Sequence, residues 1–552
     1  MSEMTFKERL RGVSLIFACG TALFSDGYVN GVIGSGTKHA ADQDLRCRKA
    51  GRAQSWPSTD ELGLRGDGHW NVAFRQVAVL TPSTSYIDTR QGYLSDKIGR
   101  KFGMMAATAI VAVFSLVSAA SSGANHSVSG LLSMLSASRA TTGRPDTNIR
   151  IWMIFSFLLG IGIGAEYPCG SVSASEQSEG PMISKRSQHR WVALATTISN
   201  HDVNDDTMID FGFVIAAFAP LVLFWIFGND HLHAVWRLSL GLGVVPAAFV
   251  FLWRLNMEEP IRYKKDSMKH AKIPYVLVLK RYGGRLAAIS AVWFLYDLIV
   301  YPFGLYSSII FDNITGNTDS LGVIFGWNVV SNLFYMPGTI IGAFVVDYLG
   351  PKNTLIVGLL CQAVIGFIMS SLYTHLVNHI ALFAVIYGIF LSFGEFGPGI
   401  CTILLAGKSS PTAVRGQFYG TAAAAGKIGA FVGTWIFPPI IDAFGGSATV
   451  RGNTGPFWIG SGCALLSALI TFFFITPLTM DGMEKEDREV RMVPSLIPPS
   501  LYVDAQICQT QFREYLEAHG YDTTAMGLPG SSSESESVEE VLHQEKSSME
   551  KI

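Results

Sequence analysis

The sequence predicts an all-α integral membrane protein whose apolar spans fall into two groups, and three observations carry that prediction. Of the 552 residues, 49% are hydrophobic and only 15% charged, against about 25% charged in an average soluble domain. Crossing a hydrocarbon core of ~30 Å takes about 20 mostly apolar residues, and the chain supplies eleven stretches of that kind. A basic segment then divides these stretches into two groups. The net charge of −2 points to no particular partner, and no nucleic-acid partner is expected.

The first group comprises Val13 to Gly34, Phe102 to Gly123, Ile151 to Val172, Met208 to Phe227, Val235 to Trp253 and, after the basic segment, Ala287 to Phe311 opens the second. Leu321 to Val346, Thr354 to Tyr373, Ile380 to Ala406, Tyr419 to Ile441 and Phe457 to Ile475 complete it. Orientation follows from the cations in short loops. Segment 254–285 is rich in Lys and Arg, from Arg254 to Arg285, whereas 228–234 and 312–320 carry none. The central segment is therefore expected inside, and the two-lobed arrangement that the resemblance given below implies, six helices before this segment and six after, puts both termini inside as well. The expected organisation is a first lobe over 1–253, a central loop over 254–285, a second lobe over 286–478 and a partly disordered tail over 479–552.

One helix is missing from this count. A chain leaving the inside at Val13 must return before Gly92, yet 37–91 holds no uninterrupted span-length apolar run, and its best candidate, Trp70 to Tyr86, is broken by Arg75 and Pro82. Translated non-coding sequence displacing part of the second helix is one reading; a divergent external loop followed by a marginal helix is the other. Two further stretches, 201–206 and 492–510, interrupt otherwise regular patterns in the same manner. Asn125-His126-Ser127 and Asn313-Ile314-Thr315 are acceptor triplets for glycosylation in loops expected outside. The serine-rich acidic stretch after Gly530 has too little apolar content to fold.

Seven cysteines, at Cys19, Cys47, Cys169, Cys361, Cys401, Cys463 and Cys508, show neither paired nor metal-ligand spacing. They are expected to pack. The chain also lacks a phosphate-cradling glycine loop followed by Lys and Ser or Thr, and a nucleophile motif with partners. No enzyme activity, metal or cofactor is expected.

Charged residues inside membrane helices are costly, at about 2.5–3.5 kcal/mol on insertion scales, so each is a site candidate. Five stand out: Asp26, Glu166, Asp297, Glu395 and Lys427. Asp26 shares a helix face with Asn30. Glu166 follows the small-residue run Gly160 to Ala165 and precedes Tyr167-Pro168, where proline frees backbone carbonyls. Trp293, Asp297 and Tyr301 recur every four residues and so form one stripe. Lys427 lies among alanines and glycines that leave room around a cation. Glu395 sits in the helix-breaking run Gly394 to Gly399.

Gly92-Tyr93-Leu94-Ser95-Asp96-Lys97-Ile98-Gly99-Arg100-Lys101, followed at once by an apolar span, resembles the loop between the second and third helices of major facilitator transporters. In that superfamily the glycines, here Gly92 and Gly99, permit a tight turn. Asp96, Arg100 and Lys101 correspond to charges whose contacts a gating motion makes and breaks. With Ser25-Asp26-Gly27-Tyr28-Val29-Asn30-Gly31, Gly160 to Pro168, Ile273-Pro274-Tyr275, Trp293 to Pro302, Thr412-Ala413-Val414-Arg415-Gly416 and Gly426-Lys427-Ile428-Gly429, the chain resembles the phosphate:proton symporter branch, and within it the fungal glycerophosphoinositol permeases. The resemblance implies a major facilitator fold of twelve helices, the second disrupted here, in a monomeric plasma-membrane importer of glycerophosphodiesters (glycerophosphoinositol or glycerophosphocholine) driven by protons.

It further implies substrate binding at Tyr167, Trp293, Tyr301 and Lys427, and proton exchange at Asp26, Glu166 and Asp297. Three departures qualify it. Glu166 replaces the usual Asp and Gly399 the usual Asn, which fits a larger, esterified substrate. Ser156 replaces an Arg, which removes a recurrent partner of the fourth-helix acid. Inorganic phosphate transport, a receptor that does not translocate, and a nonfunctional product are the competing readings.

Overall fold

A computed structural model describes residues 6–21, 23–25, 27–29, 31–32, 88–121, 158–178, 183, 187–197, 209–228, 231–255, 257–305, 307, 310, 321–446, 449–478, 512–523 and 526. Asp26, Ser156, both acceptor triplets, the return-helix candidate 70–86, nearly all of 37–91, the interruptions 201–206 and 492–510 and the serine-rich tail lie outside these residues. Every regular element among the described residues is helical.

In the first lobe the elements are α1 (Phe6–Gly20), a helical segment over 88–97, α2 (Arg100–Ser121), a helical segment over 158–166 that runs through a π-helical turn (Tyr167–Ser171) into α3 (Val172–Ser178), then α4 (Gln188–Thr197), α5 (Ile209–Phe227), α6 (Leu232–Gly241) and α7 (Val244–Arg254). A short helix, α8 (Ile261–Asp266), lies between the lobes in sequence. The second lobe comprises α9 (Tyr275–Leu305), α10 (Leu321–Leu333), α11 (Tyr335–Ser371), α12 (Tyr373–Leu376), α13 (Ile380–Gly394), a second π-helical turn (Glu395–Gly399), α14 (Ile400–Lys408), α15 (Arg415–Ala443) and α16 (Val450–Phe474); α17 (Phe512–Ala518) follows.

Eight stretches of the described residues are long and apolar enough to cross a membrane. One of them, Gly322–Ser371, contains two expected spans, separated where Gly350 leaves helical geometry at φ 76° before Pro351. Helix α9 begins at Tyr275, eleven residues before the lobe boundary expected at 286, because Lys280, Arg281 and Arg285 are good helix formers and ride on a polar extension of the span.

Large apolar side chains such as Trp225, Leu252, Phe472, Phe473 and Phe474 face outward, while glycines, alanines and most intramembrane polar groups face inward. This is the distribution expected where lipid, not water, bathes the surface. Helices α9 and α15 pack tightly against each other. A Cβ on Gly429 would lie 2.1 Å from the Phe294 carbonyl oxygen, and one on Gly433 2.3 Å from that of Leu298. Glycine at this spacing lets the backbones touch, and that contact fixes Lys427 against the Trp293–Tyr301 stripe.

Candidate functional site

Lys427 is buried at 5% exposure in the interior of the bundle. Its Nζ donates to Tyr167 Oη at 3.3 Å and to Tyr301 Oη, and it stands 4.3 Å and 4.8 Å from the centres of those two rings. Tyr167 belongs to the first lobe, Tyr301 and Lys427 to the second. Trp293 closes the cluster, 6.5 Å from Tyr167 and edge-on to Tyr419 at 5.5 Å between ring centres. The Asp297 carboxylate borders the same space: a Cβ on Gly426 would meet its Oδ2 at 2.9 Å and Trp293 Cδ1 at 2.5 Å. An ammonium flanked by two phenols, with an indole wall and a carboxylate alongside, is suited to a small oxyanion. Four of the residues assigned to substrate binding, and Asp297, therefore converge.

Glu166 does not join them. The residue after it, Tyr167, turns toward Lys427, while Glu166 turns into its own lobe. There Arg254 donates to Oε2 at 2.9 Å and to Oε1 at 2.5 Å. The same guanidinium donates to the carbonyls of Ala18 at 2.9 Å, Met104 at 3.2 Å and Cys19. It thereby ties α1, α2, the 158–178 segment and α7 together at the point where α1 ends. Arg254 had been grouped with the cations of the central loop; it is the last residue of α7 and is fully buried. The partner that Ser156 fails to supply is present from another helix.

A second polar group lies between α5, α9, α11 and the Glu395 turn. Thr339 Oγ1 donates to Asp210 Oδ2, Tyr296 Oη donates to Glu395 Oε1 at 2.7 Å, and the two carboxylates are close enough to interact electrostatically. Asp210 was not among the candidates singled out, although it is the third residue of the expected span Met208 to Phe227.

Residues 92–101 join the two lobes through a buried network of hydrogen bonds. Asp96, 1% exposed, accepts from Arg100 Nη1 at 2.5 Å within its own lobe, and from Gly416 N at 3.0 Å, Gln417 N at 2.9 Å and Gln417 Nε2 at 3.2 Å across the lobes. Glu176 Oε1 accepts from Arg100 Nη2 and Arg415 Nη1, each at 3.1 Å, and Arg100 Nη2 also donates to Thr412 O at 3.2 Å. A Cβ on Gly92 would lie 2.2 Å from Gly416 O. Glu259 receives the backbone N–H groups of Arg100 and Lys101 at 3.0 and 3.1 Å, a carboxylate on the exposed donors of a helix N-terminus. Gly99 makes room for it: φ is 145° and an added Cβ would stand 2.4 Å from Glu259 Oε1. Burial pushes the Glu259 carboxyl above its usual range, although these donors and Arg100 pull the other way. Lys101 Nζ donates to Leu255 O at 2.7 Å.

A family model described as "Sugar (and other) transporter" matches residues 89–273 and 264–489. The chain belongs to this family of major facilitator transporters. It is 38% identical to a glycerophosphocholine permease of Candida albicans over 95% of its own length and 86% of the relative's. To a major glycerophosphoinositol permease of the same organism it is 37% identical, over 96% and 86%. Among solved structures it matches a proton:xylose symporter with a TM-score of 0.64 at 17% identity, covering 87% of this chain and 98% of that one; this likeness concerns the fold alone. The transporter's inter-lobe network thus uses more of the chain than the loop motif. Glu176, Glu259 and Arg254 were not singled out in the sequence, and Arg415 carried no role there. The available signals were Glu176 close behind the Tyr167–Ser171 turn and Arg254 abutting an apolar span.

Proposed function

We propose that this transporter imports glycerophosphodiesters across the plasma membrane together with protons, with both termini and the central segment on the cytoplasmic side. The observation that carries the reading is Lys427, a buried ammonium held between a phenol from each lobe. An anion bound there would touch both lobes at once, which is the requirement for alternating access around a fixed site. A buried cation is costly on its own, and a ligand carrying one negative charge relieves that cost.

In this mechanism Lys427, Tyr167 and Tyr301 hold the phosphodiester oxygens and Trp293 limits the cavity. Asp297, on the cavity wall, takes up and releases the proton that travels with substrate. Glu166 exchanges a proton only when its pair with Arg254 loosens, so it responds to rearrangement of the first lobe, and Asp26 serves the same lobe. One proton neutralises a phosphodiester; a second lets the membrane potential drive import, at about 2.3 kcal/mol per charge per 100 mV. The protein works as a monomer in the bilayer and performs no chemical conversion.

The test is uptake of labelled glycerophosphodiester by transporter-deficient yeast displaying the protein, at acid and neutral pH, with inorganic phosphate as competitor. Acid-stimulated uptake that resists phosphate is expected, and Asp297→Asn should abolish accumulation. Unchanged pH-dependent uptake in that variant would overturn the role of Asp297; uptake of phosphate in place of the diester would overturn the substrate.

A further inference from the structure

Two spans of this transporter break in the same way. Glu166 leads into the π-helical turn Tyr167–Ser171, and Glu395 opens the π-helical turn Glu395–Gly399; Pro168 lies inside one and Pro398 inside the other. Both carboxylates are more than nine-tenths buried, at 2% and 7% exposure. Their charges are met differently. Glu166 is gripped on both oxygens by Arg254, whereas Glu395 has no cation beside it among the described residues. Its Oε1 accepts from Tyr296 Oη at 2.7 Å, and its Oε2 accepts no hydrogen bond among the described residues. That oxygen lies over Gly399, where an added Cβ would come within 2.0 Å of it and 3.0 Å of Tyr296 Oη. The missing side chain at Gly399 is therefore what gives the carboxylate its place.

The surroundings define the charge of a partner for Oε2. Asp210, held by Thr339, adds a second carboxylate within electrostatic reach. Two carboxylates repel an anion and attract a cation. Buried aromatic side chains adjoin the two carboxylates: Tyr296 donates to Glu395, and Tyr335, 5.8 Å from Phe213 between ring centres, stands one turn before Thr339, the donor to Asp210. Ring faces and a carboxylate suit a soft organic cation; a hard metal ion would require six or more oxygen ligands. The group adjoins the anion site along α9, where Tyr296, bonded to Glu395, is followed directly by Asp297, whose carboxylate borders the space beside Lys427.

We infer that Glu395 is the receptor for a quaternary ammonium, so that the diester this transporter favours is zwitterionic: phosphate on Lys427, and a choline-type headgroup against Glu395 and the faces of Tyr296 and Tyr335. The inference rests on the diester reading above and names the headgroup within it.

The discriminating experiment is competition against labelled glycerophosphocholine on the full-length protein in nanodiscs. The competitors are unlabelled glycerophosphocholine, its uncharged isostere with a tert-butyl group in place of trimethylammonium, glycerophosphoinositol and inorganic phosphate. Glycerophosphocholine should compete at least about ten-fold more strongly than the isostere, the ratio one charge-assisted contact provides. In Glu395→Gln that ratio should fall to within about two-fold. Equal competition by the isostere on the unmodified protein overturns the inference while leaving the diester reading intact, and this outcome does not depend on the variant folding. If labelled glycerophosphocholine does not bind, binding of labelled glycerophosphoinositol measured directly does the same. Binding of phosphate alone, or of none of these ligands, overturns both readings.

Discussion

Replacing Asp96 by Asn should open the Asp96 end of the bundle by one to three orders of magnitude. Asp96 Oδ1 faces Gly416 N–H and Oδ2 faces Gln417 N–H. An amide presents one acceptor and one donor group in their place, so at least one inter-lobe bond is lost and one buried N–H faces another donor. A hydrogen bond to a charged group is worth about 1.5–3 kcal/mol, and an unsatisfied buried donor costs about 1–3 kcal/mol. The bond between Asp96 and Arg100 lies within one lobe and survives in both conformations, so it cancels. A net bias of about 2–4 kcal/mol against the closed state follows, or about 30- to 1,000-fold in the equilibrium. Ser410 reports on it: it is fully buried at this end, and its backbone carbonyl accepts from Arg415 Nε at 3.1 Å. Ser410→Cys, measured against the parent chain in inside-out vesicles with an impermeant maleimide, should label slowly. With Asp96→Asn added, labelling should accelerate at least about ten-fold, since the rate follows the open population. An unchanged rate in a variant that still elutes as a folded monodisperse protein would show that this network does not hold the lobes closed.

The remaining predictions concern two of the buried cations, Arg254 and Lys427. Glu166→Leu should destabilise the protein by about 3–5 kcal/mol, because it leaves Arg254 buried without its counter-charge. The double variant Glu166→Leu with Arg254→Met should recover part of that loss; thermal unfolding in detergent measures both, and a double variant less stable than the single one would show that the pair is not coupled. Lys427→Met should reduce diester uptake about 10- to 150-fold, the equivalent of one charged hydrogen-bond set. Lys427→Arg should not restore it, since a planar fork cannot replace a compact ammonium between Tyr167 and Tyr301; full uptake in either variant, normalised to surface abundance, would remove Lys427 from the site.

The parts of the site legible in the sequence are those carried by one regular helix. Trp293, Asp297 and Tyr301 could be placed on a stripe because α9 is uninterrupted there, and Lys427 announced itself as a cation among small residues. What could not be read is the distant partner of a buried charge, 88 residues away for Arg254 and Glu166 and 76 for Arg100 and Glu176. The same limit explains why Glu166 was grouped with Tyr167. Neighbours in sequence point to different faces of a helix, and the π-helical turn at Tyr167–Ser171 alters the register that periodicity would assume. The start of α9 at Tyr275 could not be read from composition, because a charged helix end and a loop have the same composition.

The location of the inter-lobe network relative to the cation explains how occupancy could be communicated to the gate. Arg415, Gly416 and Gln417 open α15, and Lys427 lies on the same helix twelve residues beyond Arg415, about 18 Å along its axis. Helix α15 is pinned to α9 through Gly426, Gly429 and Gly433, so the two helices move as one body carrying Lys427, Tyr301 and Asp297. The first lobe meets that body at Tyr167 in the middle and at Asp96 and Glu176 at the end. An anion that draws Lys427 away from Tyr167 therefore acts on the body that also bears the Asp96 acceptor contacts. A ligand shifts a conformational equilibrium only by its difference in affinity between the states, and this geometry supplies that difference, because the Tyr167 side of the site belongs to one lobe and the Lys427 side to the other.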